Sequence, residues 1–188
     1  MSQKKTLLLG FDLRRPSLHQ IFGYQNEEGI SSYLINQAAF DQIIHSTNIP
    51  DLYITYSGPT PPNPSELIER DNVAEFFKKA RKDFDYIILD TPPVALVADA
   101  LILSKYCDMS LFVVRHYYSQ KEVLNLVNQL NSDKKFKNLA LLINDIKESR
   151  ALGYYYGYGY GYGYGYGYGY GYGYYNKGYQ SEQKYFTE

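Results

Sequence analysis

Two carboxylates stand where apolar runs stop: Asp12 closes "LLLGFD" and Asp90 closes "DYIILD". Short aliphatic runs of this kind read as parallel strands buried on both faces. In an open parallel sheet, ligands gather beyond the carboxyl ends of the strands, so both acids would project into one crevice. Two hard oxygen donors there suit Mg²⁺, which takes one or two carboxylates and completes its shell with water and nucleotide phosphate. For either acid alone the alternative is a cap on the following turn.

The elements that must position these acids alternate along the chain. "TLLLG" (6–10), "LYITY" (52–56), "YIILD" (86–90), "SLFVV" (110–114) and "LALLI" (139–143) read as strands. "GISSYLINQAAFDQIIHS" (29–46) carries apolar residues at helical spacing, and a helix capped by Asp71 through about Phe84 would bury Val73, Phe76, Phe77 and Ala80. "VADALILSKY" (97–106) and "KEVLNLVNQL" (121–130) read as further helices. This order predicts an α/β fold, a parallel sheet with helices on both faces. Residues 1–152 form the folded domain, large enough for one core.

Charge and composition exclude several classes. Nineteen Lys and Arg nearly balance 20 Asp and Glu, which leaves no basic surface for nucleic acid. One cysteine, Cys107, rules out a disulfide framework, fits a reducing cytoplasm and reads as a small core residue. No run of 18 apolar residues occurs. His19, His45 and His116 are scattered without ligand spacing.

Composition changes abruptly after Leu152. Residues 153–188 read as a disordered tail, because alternating glycine costs backbone entropy and nothing aliphatic follows to pack on. Nine Gly-Tyr pairs fill 157–174, and the tail holds 15 of the chain's 23 tyrosines. It is either a set of targets for chemistry or a segment that self-associates by stacking.

The ordered motifs resemble those of the bacterial tyrosine kinases. "LLLGFDLRRPSLHQIFG" (7–23) looks like their second Walker-type motif, "FDYIILDTPPV" (84–94) like their Walker B segment, and "SGPTPPNPSELI" (57–68) like the loop between. "VADALILSKYCDMSLFVVR" (97–115) and "LLINDI" (141–146) follow in the same order, so the resemblance covers about 5–150. It implies a deviant P-loop NTPase fold of the partition-ATPase kind and autophosphorylation with ATP and Mg²⁺. Asp90 would hold Mg²⁺. Asp12 would position the metal or the incoming hydroxyl, and Arg14 would neutralise phosphate charge. Asp99, Arg115 and Asn144 would contact the nucleotide.

The resemblance also assigns the tail. Tyr154, Tyr155, Tyr156, Tyr158, Tyr160, Tyr174, Tyr175, Tyr179 and Tyr185 would be phosphoacceptors, modified by a neighbouring subunit of a ring-like homo-oligomer. A flexible tail of this length spans roughly 30 Å, enough to reach that subunit. Each phosphate would add about −1.5 to −2 charges and loosen the ring. Relatives serve exopolysaccharide or capsule synthesis with a membrane adaptor or polysaccharide co-polymerase segment. That implies a cytoplasmic domain held peripherally at the inner membrane through a partner or a missing N-terminal part.

Two departures qualify this expectation. Gly10 replaces the first acid of the family's Asp-x-Asp, so a general base at that position does not carry over. No G-x-x-x-x-G-K-[ST] loop and no Gly-Lys dipeptide occurs, which removes the backbone nest and lysine that cradle phosphates. The domain therefore reads as N-terminally incomplete, with an exposed edge expected beside "TLLLG". The alternatives are an inactive pseudokinase, or an oligomerisation module lending a tyrosine tail, and, less in keeping with "FDLRRP", a partition-type ATPase.

Overall fold

The computed structural model describes residues 4–146. The boundary expected at 152/153 and all the expected phosphoacceptor tyrosines lie outside these residues. Strand β1 (Thr6–Gly10) lies between β3 (Leu52–Thr55) and β4 (Tyr86–Asp90), parallel to both. A two-residue β2 (His45–Ser46) adds antiparallel to β3. A second, parallel pair consists of β5 (Ser110–Arg115) and β6 (Leu139–Asn144). The strand runs are placed as the sequence predicts, but the sheet is mixed rather than wholly parallel, and it divides into four strands and two.

The division corrects two expectations. The edge beside "TLLLG" is not open: β1 is central, and β4 forms the far edge of its sheet. "YIILD" is not covered on both sides either, since Tyr86 and Ile88 are more than half exposed. On β5, Leu111 and Val113 are equally exposed. These apolar side chains lie along strands that each lack a partner on one side among the described residues.

Packing around β1 follows its alternation. Leu7 and Leu9 are fully buried in the main core, with Phe11 and Leu13 just beyond the strand. Leu8 packs instead with Leu18, Ile54, Tyr56 and Phe22. The main core is roofed by α4 (Asp71–Asp83), whose Val73, Phe76, Phe77 and Ala80 are buried at i, i+3, i+4 and i+7, as the spacing requires. Arg70, rather than Asp71, occupies its N-cap. Phe76 meets Tyr33, Phe40 and Phe77 with ring centroids 5.5, 5.3 and 5.8 Å away. Phe77 stacks on Phe11 and Tyr106.

The helix expected across 29–46 is shorter. Only α2 (Ile30–Leu34) forms, because Asn36 adopts a left-handed backbone (φ 61°) that ends it. A 3₁₀ turn (Asp41–Ile43) and β2 use the remaining apolar positions. The start of α2 is fixed by extension of β3: Ile30 and Ser31 donate their amides to the carbonyls of Tyr56 and Ser57 at 2.8 and 3.0 Å. Gly29 sits there against backbone, where an added methyl would overlap the Tyr56 carbonyl oxygen and the Gly58 nitrogen.

Elsewhere the helices are α1 (Leu18–Ile21), α3 (Pro64–Glu69), α5 (Asp99–Leu103) and α6 (Glu122–Ser132). Cys107 is half-buried rather than sealed in the core, and burial raises its thiol pKa. No helix among the described residues is long and apolar enough to cross a membrane.

Phe76→Ala is expected to cost about 3–5 kcal/mol, the range for deleting a buried aromatic ring. Gly29→Ala is expected to cost at least about 2 kcal/mol, since the atoms in its way are backbone and cannot rotate aside. Urea denaturation followed by circular dichroism measures both, and a loss below about 1 kcal/mol for either contradicts the packing described.

Candidate active site

The register of β1 on β4 decides where the two acids fall. Gly10 pairs with Asp90, and the ladder continues one step beyond β1, where the Phe11 amide donates to the Asp90 carbonyl at 2.7 Å. Asp12 therefore lies just past the same strand ends as Asp90, as the crevice geometry requires. Asp12 Oδ1 accepts the amides of Arg14 and Arg15 at 3.0 and 2.9 Å, an Asx-type turn. Asp12 thus caps its turn through one oxygen, while no hydrogen bond to a described residue engages the other.

Asp90 has no hydrogen-bonding or ionic partner for its carboxylate among the described residues. The Asp90 side chain is exposed at the strand end, yet the protein around it partly desolvates the carboxyl. Its pKa is raised above the ordinary carboxylate value, first by that desolvation and second by the negative charge of Asp12. Two acids that repel each other across a strand pair form a site that a divalent cation would relieve. No cluster of three or more His, Cys, Asp or Glu side chains suited to a metal occurs among the described residues. Two carboxylates with open coordination positions fit Mg²⁺, which is completed by water and phosphate, and do not fit a caged structural metal.

Arg14 and Asp99 depart from their expected roles. Arg14 Nε and Nη2 donate to Asp99 Oδ2 and Oδ1 at 2.8 and 3.1 Å, a bidentate pair. Arg14 Nη2 also donates to Ser65 Oγ at 2.8 Å, and Ser65 donates in turn to Asp99 at 3.2 Å. The Asp99 side chain is 1% exposed against 30% for Arg14. The Asp99 carboxylate is thus sealed from solvent and engaged at both oxygens by Arg14 and Ser65, an arrangement that gives it a structural role beside the nucleotide contact expected of it. The Arg14 guanidinium has an internal partner in place of a phosphate.

Arg115 and Asn144 are brought together as a register pair at the carboxyl ends of β5 and β6. Arg115 Nε donates to Asp145 Oδ2 at 2.7 Å, and its guanidinium lies 5.4 Å from the Tyr118 ring centroid. The Asn144 side chain accepts the Asp145 amide at 2.8 Å. Sequence reasoning missed Asp145 and Ser65. No local pattern marks Asp145, whereas Ser65 follows the Asn63-Pro64 start of α3, a helix-entry signal. Gly10 is crowded: a Cβ there would lie 3.2 Å from Ser57 Oγ, which donates to the Gly10 carbonyl at 3.0 Å.

No protein-family model matches the chain. Individual relatives do. It is 32% identical over 152 residues to the putative tyrosine-protein kinase CapB of Staphylococcus aureus, covering 81% of this chain and 67% of that protein. It is 36% identical over 155 residues to the tyrosine-protein kinase YwqD of Bacillus subtilis, covering 82% and 65%.

The chain belongs to the bacterial tyrosine-protein kinases. The kinase domain of Escherichia coli ETK has the same fold, with a TM-score of 0.73 at 30% identity over 88% of this chain and 62% of that one. The chimerical protein CapA2B2 gives 0.73 at 36%, over 77% and 64%. The cell-division ATPase MinD of Pyrococcus furiosus, at 19% identity and a TM-score of 0.59, shares the fold alone. The fold implied by the motifs is thereby shown. The chain spans about two thirds of the length of CapB and YwqD and 21% of the Acinetobacter johnsonii kinase ptk.

The raised Asp90 pKa has a consequence for this kinase-family chain. A carboxyl whose pKa rises on folding holds its proton more tightly when folded, so its ionisation costs stability. That cost is absent below the unfolded carboxyl range and complete above the folded value. Asp90→Asn is therefore expected to raise Tm slightly at about pH 7 in metal-free buffer, the gain kept small by solvent screening of this exposed side chain and fading as pH falls through the carboxylate range. Thermal melts across pH check this, and an equal or lower Tm at neutral pH contradicts it.

Proposed function

We propose that this chain carries the catalytic acids of an ATP-dependent protein-tyrosine kinase. The supporting observation is the convergence of Asp12 and Asp90 beyond paired parallel strands in a chain of this family. In the reaction a tyrosine oxygen attacks the γ-phosphorus, the bond to the bridging β,γ-oxygen breaks, and ADP leaves as the phenolic proton is lost. Asp90 and the uncapped oxygen of Asp12 would hold Mg²⁺. Bound there, the ion neutralises charge on the phosphates, which is most of what phosphoryl transfer requires of a site. Asp12 is also placed to orient the hydroxyl and take its proton, since Gly10 supplies no side chain for that task. Arg115 and Asn144, at neighbouring strand ends, are proposed nucleotide contacts.

The phosphate-binding loop absent from these 188 residues must be supplied from elsewhere for full activity. The tail tyrosines are the proposed substrates, reached in trans within a homo-oligomer, and the proposed setting is capsule or exopolysaccharide synthesis with a membrane adaptor. The lack of a Gly-Lys dipeptide favours one second reading, a non-catalytic module that lends its tyrosines to a complete kinase.

Phosphotyrosine mapping after incubation with ATP and Mg²⁺ separates the two. A fusion carrying the phosphate-loop segment of YwqD is expected to label the tail, and Asp12→Asn or Asp90→Asn to reduce labelling at least about 100-fold. The chain alone is expected to bind ATP–Mg²⁺ far more weakly by calorimetry. Absence of labelling in a folded fusion that binds ATP contradicts the kinase reading.

A further inference from the structure

The loop after β1 carries Asp12, and the segment after β4 carries Asp90 and, nine positions on, Asp99. One ion pair ties them together. Arg14 donates its backbone amide to the Asp12 carboxylate at 3.0 Å while its side chain grips Asp99 at 2.8 and 3.1 Å. Ser65, in the first turn of α3, closes the arrangement by bonding both partners. Three segments distant in sequence thus meet at a carboxylate that is sealed from water.

We infer that Arg14, held by Asp99 and Ser65, is a positioning residue that fixes the Asp12 carboxylate toward Asp90. The route is mechanical and short. Anchoring the guanidinium fixes the peptide of Arg14, and that peptide with its neighbour at Arg15 fixes Oδ1 of Asp12. With one oxygen held, the carboxylate plane is set and the other oxygen has a defined direction. Asp99 begins α5, so the same pair also restrains the segment leading from Asp90. A bidentate guanidinium–carboxylate pair constrains orientation as well as distance, which a lysine in place of Arg14 would not do. Loss of the clamp leaves both acids in the chain but no longer aimed at a common point.

What the acids bind rests on the kinase reading. How they are held rests on geometry alone, and one experiment separates the two. Metal-free protein is titrated with Mn²⁺ by electron paramagnetic resonance, and hydrogen exchange of the Arg14 and Arg15 amides is followed by NMR. The proteins compared are the unaltered chain, Asp99→Asn, Ser65→Ala and the control Asp85→Asn. The control breaks the exposed Lys4–Asp85 pair before the opposite ends of β1 and β4.

Asp99→Asn is expected to weaken Mn²⁺ binding at least about tenfold, the scale for groups that orient metal ligands. It should also speed exchange of both amides. Ser65→Ala is expected to shift both readouts the same way by less, and Asp85→Asn to shift neither. If Asp99→Asn does not fold, Ser65→Ala carries the test. Folded variants with unaltered amide exchange and unaltered Mn²⁺ affinity overturn the clamp. Faster exchange in a chain that takes up no Mn²⁺ upholds the clamp and removes the kinase reading of the acids.

Discussion

The parallel pairing of β1 with β4 is the constraint on which the rest of the structure depends. Because Gly10 stands opposite Asp90 and the Phe11 amide still bonds the Asp90 carbonyl, Asp12 leaves β1 close enough to Asp90 for its charge to be felt there. A shift of one residue would turn the side chains of β1 to the other face and move Leu7 and Leu9 out of the core. The core therefore fixes the register, and the register fixes the acids. Packing of α4 on the core that β1 enters is in this sense part of what positions the two acids.

The cost of the arrangement is visible in Asp90. Partial desolvation and the neighbouring charge of Asp12 both disfavour its ionised form, although the side chain is exposed. Neighbouring like charges of this kind are found where a site handles charge, and they are less common where a fold is only being held together. Strain of this kind belongs to sites that acquire a positive charge when they work. The Arg14–Asp99 pair is different in character: it is internally neutral, bidentate and built on a carboxylate sealed from water, as suits a component that holds rather than reacts.

Much of this was legible in the sequence, for local reasons. The strands announced themselves as aliphatic runs, and α4 showed its buried face through the spacing of Val73, Phe76, Phe77 and Ala80. The two acids were found because each ends such a run. What was not legible depends on contacts between distant residues. Arg14 and Asp99 are 85 positions apart, and no local pattern says that two charged residues will neutralise each other instead of meeting a ligand. Likewise "YIILD" looks like a strand buried on both faces, yet burial depends on neighbours that local pattern does not name. The helix expected over 29–46 failed at Asn36, where one left-handed residue outweighs a continuing apolar period.

The central claim is that Asp12 and Asp90 share one divalent cation. A crystal soaked in Mn²⁺ and measured at the manganese absorption edge tests it most directly. The account predicts one anomalous peak within coordination distance of a carboxylate oxygen of each acid, directly or through one water, and its disappearance in Asp90→Asn. A peak bound to either acid alone, or one that persists unchanged without the Asp90 carboxylate, would contradict it.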